Sequence, residues 1–203
     1  AMQSYTTREE WLQAALVLLF EMVFANAGIS PDAWQSRRYR VTCGFPIGYR
    51  GSKTGKVVLG QAFDASVRAD GTMEVCINPI IDEPVEVLRI LLHEFIHVWA
   101  GIECGHRGEF ARIAKAVGFT GPMTETPATP ALLDTLTEIA DILGIYPHAK
   151  VDPSLRKKQG TRMLKLLCSE CGFTARVSAK WQSKITHEST CPACHLAGTL
   201  VTD

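Results

Sequence analysis

Apolar positions along the chain fall into blocks whose internal spacing predicts the elements. Residues 8 to 27 (REEWLQAALVLLFEMVFANA) are apolar at helical intervals and follow a capping hydroxyl at Thr6 or Thr7. Glu9 and Glu10 stand in the first turn, and Asn26 and Gly28 mark the end, so this block reads as one buried helix. RYRVTCGF (38 to 45) has the β-branched and aromatic content of a strand. VVLGQAFDASV (57 to 67) and TMEVCINP (72 to 79) flank Ala69-Asp70-Gly71, the signature of a β-hairpin. A helix is expected from Glu83 to Ile102, with Asp82 as its cap and Pro84 in the first turn, where the missing N–H costs nothing. A break covers Ile102 to Gly105, and a further helix runs from His106 to Val117 and stops at Gly118. GPMTETPATP (121 to 130) is a loop, ALLDTLTEIADILG (131 to 144) another amphipathic helix, and YPHAKVDPSLRKKQGT (146 to 161) a connector.

Length and charge divide this pattern into two parts. A chain of 203 residues can bury a substantial core. Its net charge of zero gives no global attraction to nucleic acid or membrane, but from Val151 onward eight Lys and Arg outnumber four acids, and the preceding residues carry the opposite excess. The predicted organisation is residues 1–147, a linker at 148–161, and a small basic unit at 162–203. The most apolar run, LQAALVLLFEMVFA (12 to 25), contains Glu21 and is shorter than the roughly 20 residues that cross a bilayer. No basic segment with a small-residue cleavage site precedes it, so neither membrane insertion nor secretion is expected. The expected location is the cytoplasm, nucleoid-associated in a bacterium or in the host cytoplasm for a phage protein. GYRGSKTGK (48 to 56) resembles a phosphate loop only in composition, because the spacing to Lys56 is wrong and Val57 stands where Ser or Thr would be needed.

The predicted 83–102 helix carries His93-Glu94-Phe95-Ile96-His97, an HExxH motif. Residues four apart share a helix face, so two imidazoles can hold one zinc ion while Glu94 reaches a water at an open coordination position. A buried pair of imidazoles with a carboxylate and no partner would cost about 1–3 kcal/mol for each unsatisfied group, which argues against an inert core helix. Catalytic zinc takes three protein ligands. His106, beyond the turn containing Gly101 and Gly105, is the expected third, with Glu103 and Glu109 as weaker alternatives. Cys104 reads as a small residue in the turn that could also approach the metal, Cys43 and Cys76 as core positions in strands, and Trp34 and Trp99 as carrying no functional motif.

Four of the seven cysteines form two C-x-x-C pairs, Cys168/Cys171 and Cys191/Cys194, separated by nineteen residues. In a reducing compartment this is the spacing of a structural four-thiolate zinc site, in which metal replaces a core too small to stand alone. His187 and His195 are possible substitute ligands, but closure by four thiolates is simpler. Around the knuckles, Arg162, Lys165, Arg176, Lys180 and Lys184 interleave with Phe173 and Trp181. Basic groups beside aromatics suit phosphate contact with base stacking, whereas the structural alternative has Phe173 and Trp181 filling the mini-core.

With HEFIH at 93 to 97, His106 in GHRGEF, the GPMTET loop and the CSECG and CPAC knuckles in place, the chain resembles the SprT-like zinc metallopeptidases, to which the Spartan proteases are related. The likeness spans most of residues 60 to 200. It implies an α+β fold: a helical HExxH zincin-like metallopeptidase domain with a small β-sheet, and a C-terminal four-cysteine zinc ribbon. It further implies two zinc ions: a catalytic one on His93, His97 and His106 with Glu94 as general base, and a structural one on Cys168, Cys171, Cys191 and Cys194. The family's characterised eukaryotic members cleave proteins crosslinked to DNA, with DNA as activator, so protein substrates and single-stranded or damaged DNA are the implied partners. Arg107 before Gly108 departs from the His-Gly that many relatives carry at the third ligand. Two other functions remain open: a DNA-responsive protease cutting one dedicated partner such as a repressor, and a DNA-binding adaptor whose zinc is structural only. TMEVCINP is the expected strand edge for an extended substrate.

Overall fold

The structure, a computed structural model, describes residues 4–30, 38–47, 57–155 and 163–202. It is an α+β protein that divides into two compact units, Ala1–Pro153 and Ser154–Asp203. The phosphate-loop lookalike, Trp34 and Arg162 lie outside the described residues.

In the first unit, helix α1 (Arg8–Leu19) starts at Thr7, whose hydroxyl accepts from the Glu10 N–H while the Glu10 carboxylate accepts from the Thr7 N–H, a reciprocal capping box. The block expected to continue as one helix loosens into a π-turn at Phe20–Phe24. Strand β1 (Tyr39–Cys43) pairs in parallel with β3 (Met73–Ile77), and β2 (Gly60–Phe63) pairs with β3 antiparallel, giving the order β1-β3-β2. β2 is shorter than the alternating pattern predicts. The Asp64 carboxylate accepts from the Ser66 N–H and turns the chain into a short 3-10 segment, Ala65–Val67, so the hairpin has a wide loop. β3, expected to offer the free edge, is the central strand, and β2 holds that edge position.

Helix α2 (Pro84–Ala100) is capped by Glu83, whose carboxylate accepts from the N–H groups of Val85 and Glu86. Asp82, the expected cap, instead accepts from the Lys150 N–H at 3.0 Å. Helices α3 (Gly108–Ala116) and α4 (Pro130–Leu143) complete the unit. Trp11, Leu16 and Leu19 of α1, Leu88, Leu91, Phe95 and Ile96 of α2, Leu136 and Ile139 of α4 and Val75 and Ile77 of β3 are fully buried together. Phe95 is the aromatic hub, meeting the rings of Phe20 and Tyr39 edge-on at 5.1 Å.

The connector expected from residue 148 begins later. Buried Arg8 donates to the carbonyls of Pro147, His148 and Ala149, and the Val151 N–H donates to the Pro79 carbonyl, which ties the chain to the first unit through residue 151. Residues 148–151, counted with the linker in sequence, are held to the first unit by backbone partners far away in the chain.

The second unit is a three-stranded antiparallel sheet, β5-β4-β6, formed by β4 (Leu164–Cys168), β5 (Thr174–Val177) and β6 (Leu200–Thr202), with a one-turn helix α5 (Ala179–Gln182). Its apolar burial is slight: Leu166, Cys168 and Cys191 are its buried apolar residues among those described.

Candidate metal centres

The buried polar residues among those described are Arg8, Asn78, His93, Glu94, His97 and Thr126. Four of these six meet at one place. His93 and His97 project from the same face of α2, one turn apart. The helix ends at Gly101 (φ +90°), a 3-10 turn covers Ile102–Cys104, and Gly105 (φ +53°) reverses the chain. His106 is thus delivered back over the first two rings from the turn before α3, not from within the helix expected to begin there, because Arg107 is extended and α3 starts only at Gly108. Phe110 of α3 lies beneath all three imidazoles, with ring centroids at 5.1, 4.3 and 5.1 Å.

The Nε2 atoms converge, with His106 at 3.2 Å from His93 and 3.3 Å from His97. Two ligands held at Zn–N distances and a tetrahedral angle stand about 3.3 Å apart, so the spacing fits such an ion. The Nδ1 of His93 lies 2.9 Å from Thr126 Oγ1; with that nitrogen protonated and donating, Nε2 presents its lone pair. Burial, reinforced by the neighbouring His97, His106 and Arg89, pushes His93 down to about 3, and burial with His106 pushes His97 down to about 4. Burial lowers His106 as well. Three neutral imidazoles at neutral pH are the ligating form.

Glu94 follows His93 and faces β2. Burial raises its carboxyl to about 8, opposed by a hydrogen bond from the Ala62 backbone. Gly60 makes this approach possible, since a Cβ there would stand 2.6 Å from Ile90 Cγ2 and 2.7 Å from Glu94 Cγ. The three histidines and Glu94 open into a cleft of about 650 Å³, lined also by β2, Arg89, Ile102 and residues 124–126. Gly60, Ala62, Arg89 and Thr126 carry no motif and escaped the sequence reading; each acts through a contact with a segment distant in the chain.

The alternative third ligands lie elsewhere. Glu109 pairs with Arg112, Glu103 folds over Gly101 beside a separate hollow lined by Arg38 and Asp64, and the Cys104 thiol donates to the Ala100 carbonyl. Cys43 and Cys76 stand in β1 and β3, and Trp99 stacks on Phe24.

In the second unit Cys168, Cys171, Cys191 and Cys194 form one cluster, with Cys168–Cys194 and Cys171–Cys191 sulfurs each 3.7 Å apart. That is far beyond a disulfide and close to the edge of about 3.8 Å for four thiolates on tetrahedral zinc. Thr199, with its hydroxyl 3.2 Å from Cys168 Sγ, and the backbone N–H groups of Cys171 and Glu170 pull the Cys168 thiol down to about 6. His187 and His195 are exposed and do not belong to the cluster. Lys165 and Arg176 stand directly opposite each other on β4 and β5, while Arg176, Lys180 and Lys184 are exposed. Trp181 is 63% exposed and so does not fill the mini-core, whereas Phe173 is half-buried.

The architecture and its two clusters define an α+β protein with a three-histidine group and a four-cysteine group, each able to hold a metal ion. No protein-family model, curated protein or solved structure matches the chain. No helix among the described residues is long and apolar enough to cross a membrane.

Proposed function

We propose that the chain is a zinc-dependent endopeptidase of SprT-like type, whose second unit is a zinc ribbon that brings it to DNA and to proteins bound or crosslinked there. The observation that carries the reading is the meeting of three imidazole Nε2 atoms with a buried carboxyl, in a cleft bordered by an edge strand. A zinc ion held by His93, His97 and His106 would supply Lewis acidity, polarising the scissile carbonyl and acidifying water. Burial keeps the Glu94 carboxyl protonated at neutral pH without metal; a neighbouring cation would favour its ionised form, in which it is placed to take a proton from the attacking water and return one to the leaving amine. β2 is the strand edge that lines the cleft, so an extended substrate would pair along Gly60–Phe63 and present a peptide bond to Glu94.

DNA recruitment rests on the second unit. Lys165 and Arg176 stand directly opposite each other, which places two basic side chains on one face of the sheet, where a phosphate backbone could be met. Lys180 lies 5.9 Å from the exposed Trp181 ring, a platform on which an unpaired base could stack beside a phosphate contact.

The test is Glu94→Gln with DNA-bound protein and single-stranded DNA. The variant should keep two zinc ions per chain and lose cleavage by a factor of about 10²–10⁴, the usual contribution of a positioned general base. Cleavage persisting in the variant rejects the mechanism, and a wild-type protein that binds DNA but cuts nothing favours the adaptor function.

A further inference from the structure

Thr126 combines three features that its role as a loop residue does not require. It is 1% exposed; its φ is +39°, a region that β-branched side chains avoid; and its hydroxyl contacts the outward nitrogen of a histidine. Of the other non-glycine residues with positive φ, His148 and His195 are exposed. Backbone held in such a conformation persists only where its surroundings over-determine it. Those surroundings are visible here. The Thr126 N–H donates to the Pro122 carbonyl at 2.9 Å, the Thr120 N–H donates to Pro127 at 2.8 Å, and a bridge joins Phe119 to Ala128.

The same helix that carries the histidines grips the loop a second time. Arg89, one turn before His93, donates through Nη1 to the Glu125 carbonyl at 3.1 Å and approaches the Thr126 carbonyl at 3.5 Å. Arg89 thus holds the Thr126 backbone while Thr126 holds His93. Were the loop moved, the His93 ring would lose the contact that fixes both its rotation and the nitrogen bearing its proton. Among the described residues no comparable partner meets His97, whose buried Nδ1 has no hydrogen bond there. The ordering of the three-histidine group therefore falls unevenly on its members.

We infer that Thr126 is the positioning residue of the three-histidine centre: its hydroxyl fixes the tautomer and orientation of His93, and Arg89 anchors the loop that presents it. This rests on the reading of His93, His97 and His106 as a metal site. Thr126 touches no reacting atom, so its effect should appear in metal affinity before it appears in turnover.

The test uses the full chain and zinc alone, competed against a chelator, with the absorption spectrum of the cobalt-substituted protein as a second readout. Thr126→Val keeps the branched shape and removes the hydroxyl; Thr126→Ser keeps the hydroxyl. Valine should weaken the histidine-bound zinc about 10–100-fold and shift the cobalt bands, leaving the cysteine-bound ion untouched, while serine should remain close to wild type. Arg89→Met should weaken the same ion in the wild-type background and add little in the valine background, because both act through one contact. Equal zinc affinity in the valine and wild-type proteins, or equal loss in valine and serine, overturns the inference. Should valine fail to fold, serine and Arg89→Met still decide it: wild-type affinity in Arg89→Met, or a large loss in serine, overturns it. A wild-type protein with one zinc per chain, unaffected by His93→Ala, overturns the metal-site reading itself and the role of Thr126 with it.

Discussion

Replacing Gly60 by alanine is expected to damage the proposed active cleft between β2 and α2 out of proportion to its effect on folding. The added carbon would lie 2.6 Å from Ile90 Cγ2, 2.7 Å from Glu94 Cγ and 2.9 Å from Glu94 Oε1. Ordinary contact between carbons needs about 3.5–4.0 Å, so roughly 1 Å of separation must be found. It cannot come readily from α2, because Leu91, Leu92, Phe95 and Ile96 on that helix are fully buried in the core. Nor is Ile90 a flexible obstacle, since its Cγ2 branches directly from Cβ. Relief must come from β2, an edge strand paired only to β3 among the described residues, or from a forced rotamer of Glu94. Overpacking of this kind costs about 1–3 kcal/mol, which for a unit of this size lowers Tm by about 2–4 °C per kcal/mol. A displacement of about 1 Å between the carboxylate and the substrate edge costs about 10²-fold in rate. Thermal unfolding, zinc content and peptide cleavage should be measured on one preparation. The expected pattern is a modest fall in Tm, both zinc ions retained and cleavage reduced about a hundredfold. Wild-type Tm and wild-type cleavage together would show that β2 and α2 do not meet as described.

Two other predictions concern the buried titratable groups and the cysteines. In metal-free protein, His93 and His97 have folded pKa values of about 3 and 4, below their ordinary 6.5, so unfolding takes up protons and their contribution to stability is lost as pH falls from 6.5. Glu94 is raised from 4.5 to about 8, so unfolding releases its proton and stability is lost as pH rises between those values. Two histidines outweigh one carboxyl below 6.5 and Glu94 acts alone above it, placing the maximum contributed by these groups near pH 6.5. Urea denaturation with a chelator at pH 5, 6.5 and 8 should show that maximum, Glu94→Gln should remove the decline on the alkaline side, and a steady rise through pH 8 would contradict it. Separately, on the proposed reading of the four cysteines as a metal site, Cys191→Ser should release the ion and unfold the second unit, whose buried apolar residues are few. A second unit still folded in that variant, or with metal stripped, would show that metal is not what holds it.

The parts of the site that were legible in the sequence are those set by local periodicity. His93 and His97 share a face because an α-helix repeats every 3.6 residues, and four cysteines in two close pairs can converge through two tight turns. Even His106 was accessible, since two glycines between neighbouring helices allow one reversal. Illegible were contacts in which the chain distance is large and the side chain ordinary. Thr126 meets His93 across 33 positions, and within GPMTETPATP nothing distinguishes it from Thr124 or Thr129. Gly60 looked like one more glycine in a strand, although its missing side chain admits Glu94. The alternation in TMEVCINP identified a strand, but periodicity does not say which strand of a sheet is central. Asp82 lost the capping role to Glu83 because a distant backbone N–H claimed its carboxylate.

The Arg8 guanidinium also has a mechanical meaning. One buried cation holds three successive carbonyls after α4, and the Val151 N–H bonds to Pro79 just ahead of α2. A pull applied to the chain beyond residue 151 would therefore load the start of α1 and the approach to α2 before reaching the end of α4. Should the second unit be held fast on a polymer while the first works on a bulky obstacle, that knot of hydrogen bonds is the point that must not slip.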